Sequence, residues 1–267
     1  MSKIKIMTGW SNPGGSTMSL MEVCDLFNER GYDCTMYGPH TWFLDKCEGA
    51  RLLGDFVLED DDIIIGHFMD LPDKPPQVKK LILSCHEKSV FVINAHDVKG
   101  ADAIRYISED QMHWQGVLDK PGVVIPNLVR GVEPSKCNEE GIAGIIGTIS
   151  HTKGVHTSID RALADGCKEV HIYGNITEPE YFQAEIVPRL ADNVIYHGLE
   201  QDRQVIYDSI SVVYQSNIPD LPEAFGRVRA ECIRAGIEYR GNEDATCEFE
   251  LWDEDDAFEA WKDLLEL

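Results

Sequence analysis

The chain reads as an α/β protein built from two doubly wound halves. Short β-rich runs alternate with stretches of helical period, as in a mostly parallel sheet flanked by helices. The alternation restarts past Pro126, so one half follows another. No apolar run approaches the ~20 residues that span a bilayer.

In the first half, Ile4-Lys5-Ile6-Met7 reads as a strand. Residues 19–30 form an amphipathic helix, with Leu20, Val23, Cys24 and Phe27 on one face and Gly31 as its stop. Further strands are predicted at 34–37, 63–65, 90–93, 104–107 and 123–125. In the second half, strands fall at 144–147, 170–173, 193–196 and 211–214, with a helix over 158–164. The polar run 133–140 has neither period. It places the division so that 1–136 and 137–252 are two Rossmann-like β/α/β domains. Residues 253–267 read as an acidic amphipathic helix, with Phe258, Trp261, Leu264 and Leu265 as its apolar stripe, expected to pack back on the N-terminal domain. Two such domains are expected to face a central cleft, with ligands just beyond the carboxyl ends of strands.

Composition narrows the function. The 267 residues are 43% hydrophobic and 27% charged, which is globular. Lys and Arg total 24 against 47 Asp and Glu, a formal charge of −23. That disfavours a broad grip on duplex DNA or an anionic membrane, which needs a basic face. It leaves room for a local basic pocket. The N-terminal residues run straight into a strand pattern without a signal-peptide core, so a cytoplasmic protein is expected. Eight cysteines stand singly, with no CxxC spacing. They read as buried thiols, and neither a metal nor a cofactor is expected.

Several candidate residues lie just after predicted strands. Gly14-Gly15, between the first strand and the first long helix, lets backbone approach a phosphate or sugar; a tight turn capped by Ser16 or Thr17 fits the same residues. His67 and His96-Asp97 each end an apolar strand run. A histidine there can donate to a sugar hydroxyl. Gly147-Thr148 through Lys153-Gly154 follows the first strand of the second half and offers a lysine to a diphosphate. Tyr173-Gly174 ends the next strand and could wall a base pocket. Asp60-Asp61-Asp62 precedes its strand and reads as a solvated loop. No G-x-G-x-x-G fingerprint or phosphate-binding P-loop occurs, against a dehydrogenase or an NTPase.

The most informative stretch is Glu223-Ala224-Phe225-Gly226-Arg227-Val228-Arg229-Ala230-Glu231. A helix starting near Gly226 carries Glu231 on its second turn. Glu223, in the preceding loop, can face the same crevice. The helix start offers amides at the positive end of the dipole, which suits phosphate. Taken alone, the pair fits a solvated loop residue and an exposed helix residue equally well.

In order and spacing, these residues resemble the GT-B glycosyltransferases, specifically the retaining group 1 or GT4-like family, in a compact version. The resemblance runs through Gly14-Gly15, His67, His96-Asp97, Ser108-Glu109, Pro126-Asn127, Lys153-Gly154, Tyr173-Gly174, Ser216 and the two glutamates eight positions apart. It implies metal-independent transfer of a sugar, with retained configuration, from a nucleotide-diphosphate sugar. His96, Glu223 and Lys153 would be the catalytic residues, with Glu223 on donor-sugar hydroxyls. Gly14, Gly15, Gly147, Thr148, Tyr173, Gly174, Ala224, Phe225, Gly226, Arg227 and Glu231 would line the donor site, Glu231 on the ribose. His67 and Asp97 would lie on the acceptor side. The acceptor could be a glycan, a small molecule or, as in phage-type enzymes, a hydroxymethylated DNA base. The chain departs from the family at Thr148, where an arginine is usual. Arg130, Arg227 or Arg229 could supply the missing cation. Without it, the donor would bind weakly or the chain would be a catalytically degenerate nucleotide-sugar-binding protein.

Overall fold

A computed structural model describes residues 3–9, 14–41, 44, 47–71, 73–86, 98–115, 120–219, 223–245, 247 and 250–267. Two compact units divide the chain, Met1–Leu128 with Glu248–Leu267, and Val129–Cys247.

The first unit holds β1 (Ile4–Thr8), α1 (Gly15–Glu29), β2 (Cys34–Gly38), β3 (Ala50–Leu52), β4 (Asp62–His67), β5 (Val78–Ser84), β6 (Ala103–Tyr106), α2 (Glu109–Gln115) and β7 (Gly122–Val124). The seven strands are parallel, in the order β3-β2-β1-β4-β5-β6-β7. β1 and β4 run side by side, Ile4 opposite Ile63, with later strands added outward on either side. Strands covered on both faces are apolar almost throughout, and every residue of β4 is buried.

The second unit holds β8 (Ile142–Ile146), α3 (Val155–Ala164), β9 (Glu169–Tyr173), β10 (Val194–Gly198), α4 (Arg203–Asp208), β11 (Val212–Gln215), α5 (Arg227–Ala235) and β12 (Glu238–Gly241). Its parallel sheet runs β10-β9-β8-β11-β12. Ile145, Ile159, Ile172, Val194 and Tyr214 pack its core.

The last helix, α6 (Glu254–Leu265), belongs to the first unit. Asp253 caps it by accepting from the Asp256 amide at 2.8 Å, and Glu254, Asp255 and Asp256 fill its first turn. Both features suit the positive end of a helix. Phe258 packs 5.4 Å from Phe27 of α1, and Trp261 is buried.

Several local expectations are corrected. The first helix begins at Gly15, four residues before the amphipathic pattern sets in. Gly14, not Ser16 or Thr17, is its cap residue, with extended backbone and no side-chain cap. β3, β5 and β12 had no strand signal. In β5, Lys79 and Lys80 interrupt the apolar run; Lys80 pairs with the Glu266 carboxylate. The strand predicted over 90–93 lies outside the described residues. Asp62 is not solvated: it is the buried first residue of β4, 2.6 Å from Lys5 Nζ. The run 133–140 belongs to the second unit, where Ser135 Oγ donates to the Tyr207 carbonyl at 2.6 Å and its amide to the Ala235 carbonyl at 2.9 Å. The division therefore falls after Leu128 rather than at 136. No helix among the described residues is long and apolar enough to cross a membrane.

Candidate functional site

In the second unit, β8 and β11 are sheet neighbours, but the chain leaves β8 toward β9 on one side and β11 toward β12 on the other. At such a switch point the two exit loops open a crevice beyond the strand ends. The loops meet at Gly154. It has left-handed backbone (φ 50°, ψ 39°), and a Cβ there would stand 1.8 Å from the Ser216 carbonyl oxygen. Only glycine fits both conditions. Ile218 N–H donates to the Thr152 carbonyl at 3.1 Å, a second tie between the same loops. The ends of β8 and β9 are pressed together too: a Cβ on Gly174 (φ 155°) would lie 1.7 Å from the Gly147 carbonyl oxygen.

These contacts bring Lys153 against Glu223, Nζ to Oε2 at 3.0 Å. The same oxygen accepts from Gln215 Nε2 at 3.2 Å and Asn217 Nδ2 at 3.3 Å. Gln215 is itself oriented by the Tyr239 hydroxyl, which donates to its Oε1 at 3.2 Å. Burial raises the Glu223 pKa, but the Lys153 charge and the hydrogen bonds from Lys153, Asn217 and the Gly226 amide outweigh it. The carboxyl is held below its ordinary range and stays ionised.

Gly226, with left-handed backbone (φ 68°), starts α5, and no side-chain hydrogen bond caps the helix. Ala224 and Phe225 are buried just before it. The first turn carries no acid, and the Gly226 amide at this positive helix end hydrogen-bonds to the Glu223 carboxylate. One turn on, Glu231 is 4% exposed. Its Oε1 accepts from Arg203 Nη1 at 2.7 Å and Arg227 Nε at 2.9 Å, and its Oε2 from the Tyr207 hydroxyl at 2.8 Å. Burial pushes this carboxyl up, and the two guanidinium charges more than reverse the effect.

The structure thus gathers Lys153, Glu223, Gly226, Arg227 and Glu231 within the second unit, with Gly147 and Gly174 beside each other at the ends of β8 and β9. Half-buried Thr148 adds no cation. Arg229 is turned to the Cys247 carbonyl at 2.7 Å. Arg130 offers its carbonyl to Arg203 Nη2 at 2.9 Å. Tyr173 is a core residue, stacked on His197 at 4.6 Å and bonded to Ser209 at 2.9 Å. Gln215, Asn217, Arg203 and Tyr207 escaped the sequence reading. The first two had a signal, since polar residues directly after an apolar strand are strand-end positions.

In the first unit, Gly14 and Gly15 open α1. His96 and Asp97 lie outside the described residues. His67 is 1% exposed, with its Nδ1 2.9 Å from Thr8 Oγ1 and its ring 4.8 Å from that of His86. Desolvation, with the nearby Arg105 charge, lowers its pKa to about 3. It is a neutral interior residue.

No protein-family profile and no curated protein matches this sequence. Solved structures do match its fold. Anabaena HepE, solved with UDP-glucose, superposes with a TM-score of 0.68 at 14% identity, over 91% of this chain and 81% of that one. WaaG, a glycosyltransferase of lipopolysaccharide biosynthesis, gives 0.62 at 13% identity over 99% and 90%. AviGT4, a glycosyltransferase of avilamycin A biosynthesis, gives 0.61 at 19% identity over 98% and 88%. The two Rossmann-like units and these likenesses give the chain the GT-B fold.

Two outcomes follow from this geometry. Gly154→Ala is expected to destabilise the protein by more than about 2 kcal/mol, through left-handed strain plus the clash at Ser216; a denaturant midpoint equal to wild type would contradict the loop contact. For His67, the unfolded state binds the proton between pH 6.5 and about 3 and the folded state does not. Its contribution is therefore complete above pH 6.5 and lost as pH falls, at up to about 1.4 kcal/mol per pH unit. His67→Gln should flatten that part of the stability curve in urea titrations at stepped pH.

Proposed function

We propose that the protein is a retaining, metal-independent glycosyltransferase that moves a sugar from a nucleoside-diphosphate sugar to an acceptor hydroxyl. The carrying observation is the Lys153–Glu223 pair, 3.0 Å apart, beside the start of α5. One group there is a fixed, ionised acceptor for sugar hydroxyls. The other is a cation for phosphate. The helix start adds backbone amides.

In this reading the donor diphosphate lies near the start of α5 with Lys153 on its oxygens, and Gly15 keeps the phosphate role that the sequence resemblance implies. As the glycosidic bond breaks, negative charge grows on the leaving diphosphate. Positioned cations and a helix dipole stabilise that charge, an electrostatic effect larger in a site shielded from water. Glu223 keeps to the hydroxyls, and His96 takes the role toward the transferred sugar that the sequence resemblance implies. His67 and Asp97 are assigned to the acceptor side, although the burial of His67 argues that it supports that region from inside. HepE, solved with UDP-glucose, makes UDP-glucose the first donor to test. The enzyme is read as cytoplasmic.

Glu223→Gln and Lys153→Ala should each lower kcat/KM for donor turnover by about 100-fold or more, the usual cost of one transition-state contact. Both should retain native circular dichroism. Turnover at the wild-type rate in both variants would remove the site assignment.

A further inference from the structure

A chain of hydrogen bonds reaches the Glu223 carboxylate from the strand behind it. β12 lies beside β11, with Tyr239 opposite Val213 and Gly241 opposite Gln215. The Tyr239 hydroxyl stands 3.2 Å from Gln215 Oε1 and 2.8 Å from the Ala245 carbonyl oxygen. Both are acceptors, and the hydroxyl has one proton to share between them. Burial, and after it the Glu223 charge, raise the Tyr239 pKa, so that proton stays in place.

The two amides between Tyr239 and Glu223 have fixed orientations. Gln215 Nε2 faces two acceptors, Glu223 Oε2 at 3.2 Å and Asn217 Oδ1 at 3.1 Å. Turned over, the Gln215 amide would set its oxygen against an ionised carboxylate. Asn217 is held in the same sense, since its Oδ1 accepts from Gln215 while its Nδ2 donates to Glu223 Oε2 at 3.3 Å. The backbone is pinned as well. The Gln215 carbonyl accepts from the Asn242 amide at 3.0 Å and from Arg161 Nη1 at 3.1 Å, and the Asn217 carbonyl accepts from Asn242 Nδ2 at 2.8 Å. Gln215 is 7% exposed and Asn217 3%. Donation therefore runs one way, from Tyr239 through Gln215 to the carboxylate, and bonds in such a chain polarise one another. The Ala245 carbonyl alone would satisfy the hydroxyl. The longer contact, to Gln215, is the one that leads to the site.

We propose that Tyr239 is a positioning residue, which acts through Gln215 to hold the Glu223 carboxylate in the direction from which it accepts sugar hydroxyls. The inference rests on the donor reading above. It adds to that site a residue of β12 that acts on the donor sugar only through Glu223.

The test is calorimetric titration with UDP-glucose and UDP of wild type, Tyr239→Phe, Gln215→Met, Glu223→Gln and the doubles that combine Tyr239→Phe with each of the other two. In Tyr239→Phe and in Gln215→Met the preference for UDP-glucose over UDP should fall by about threefold or more, as for one lost hydrogen bond. UDP affinity should stay at its wild-type value. Tyr239→Phe should add nothing in the Gln215→Met or Glu223→Gln background, because the groups it acts through are gone. Equal losses for UDP and UDP-glucose, or an undiminished effect of Tyr239→Phe beside Glu223→Gln, would make Tyr239 a general support of the fold and overturn the proposal. An unchanged preference with only a lower melting temperature would reduce Tyr239 to an anchor for Ala245 and overturn it equally. Tyr239→Phe removes a single oxygen and gives a reading even if Gln215→Met fails to fold. Failure of wild type to bind either probe would count against the donor reading instead. Urea unfolding of Tyr239→Phe, Glu223→Gln and their double then decides: a non-additive loss of stability supports the coupling, and strict additivity overturns it.

Discussion

The backbone approach of Gly154 to the Ser216 carbonyl sets the candidate site. A doubly wound sheet separates its loops at the switch point, and nothing in the sheet forces those loops together again. Here left-handed Gly154 lets the loop after β8 lie directly on the loop after β11, where any side chain would come within 1.8 Å of a carbonyl oxygen. Lys153 is thereby carried to Glu223, 70 residues away in sequence. Gln215, Asn217 and the Gly226 amide then fix the carboxylate.

The first unit buries the Lys5–Asp62 ion pair and also an arginine among neutral groups. Arg105 is fully buried among its partners: the Ile125 carbonyl at 2.7 Å, Ser84 Oγ at 3.2 Å, His86 Nε2 at 3.0 Å and Asn127 Oδ1 at 3.1 Å, with the Trp261 ring 5.4 Å away. Desolvation lowers its pKa to about 9. Its hydrogen bonds tie together β5, β6 and the chain leaving β7, which is a structural use of a cation. In the second unit, the cations sit on carboxylates at the carboxyl ends of strands and at a helix start. The Lys153–Glu223 pair is partly exposed, at 37% and 20%, whereas the Arg227 and Glu231 side chains are at 10% and 5%.

Much of this was legible in the sequence, for physical reasons. Buried parallel strands announce themselves as apolar runs, as at 63–65 and 170–173. Left-handed glycines mark real turns at Gly154, Gly226 and Gly236. β5 was not legible, because Lys79 and Lys80 occupy strand positions whose ends reach Glu266 of the C-terminal segment, a partner 186 residues or more away. The first turn of α1 was missed because a glycine cap leaves no side-chain signature. Glu223 and Glu231 stood out by spacing, and Lys153 and Arg227 by position, but their other partners did not. Arg203, Tyr207 and Gln215 meet them only through the tertiary fold.

The loops after β8 and β11 are proposed to make a site for a nucleotide-diphosphate sugar. The most direct measurement is thermal unfolding of wild type across UDP-, GDP-, ADP- and dTDP-sugars. At 100 times its dissociation constant, one of them is predicted to stabilise the protein by about 2.7 kcal/mol, with little effect from the others. An unchanged melting temperature with every donor would contradict the account.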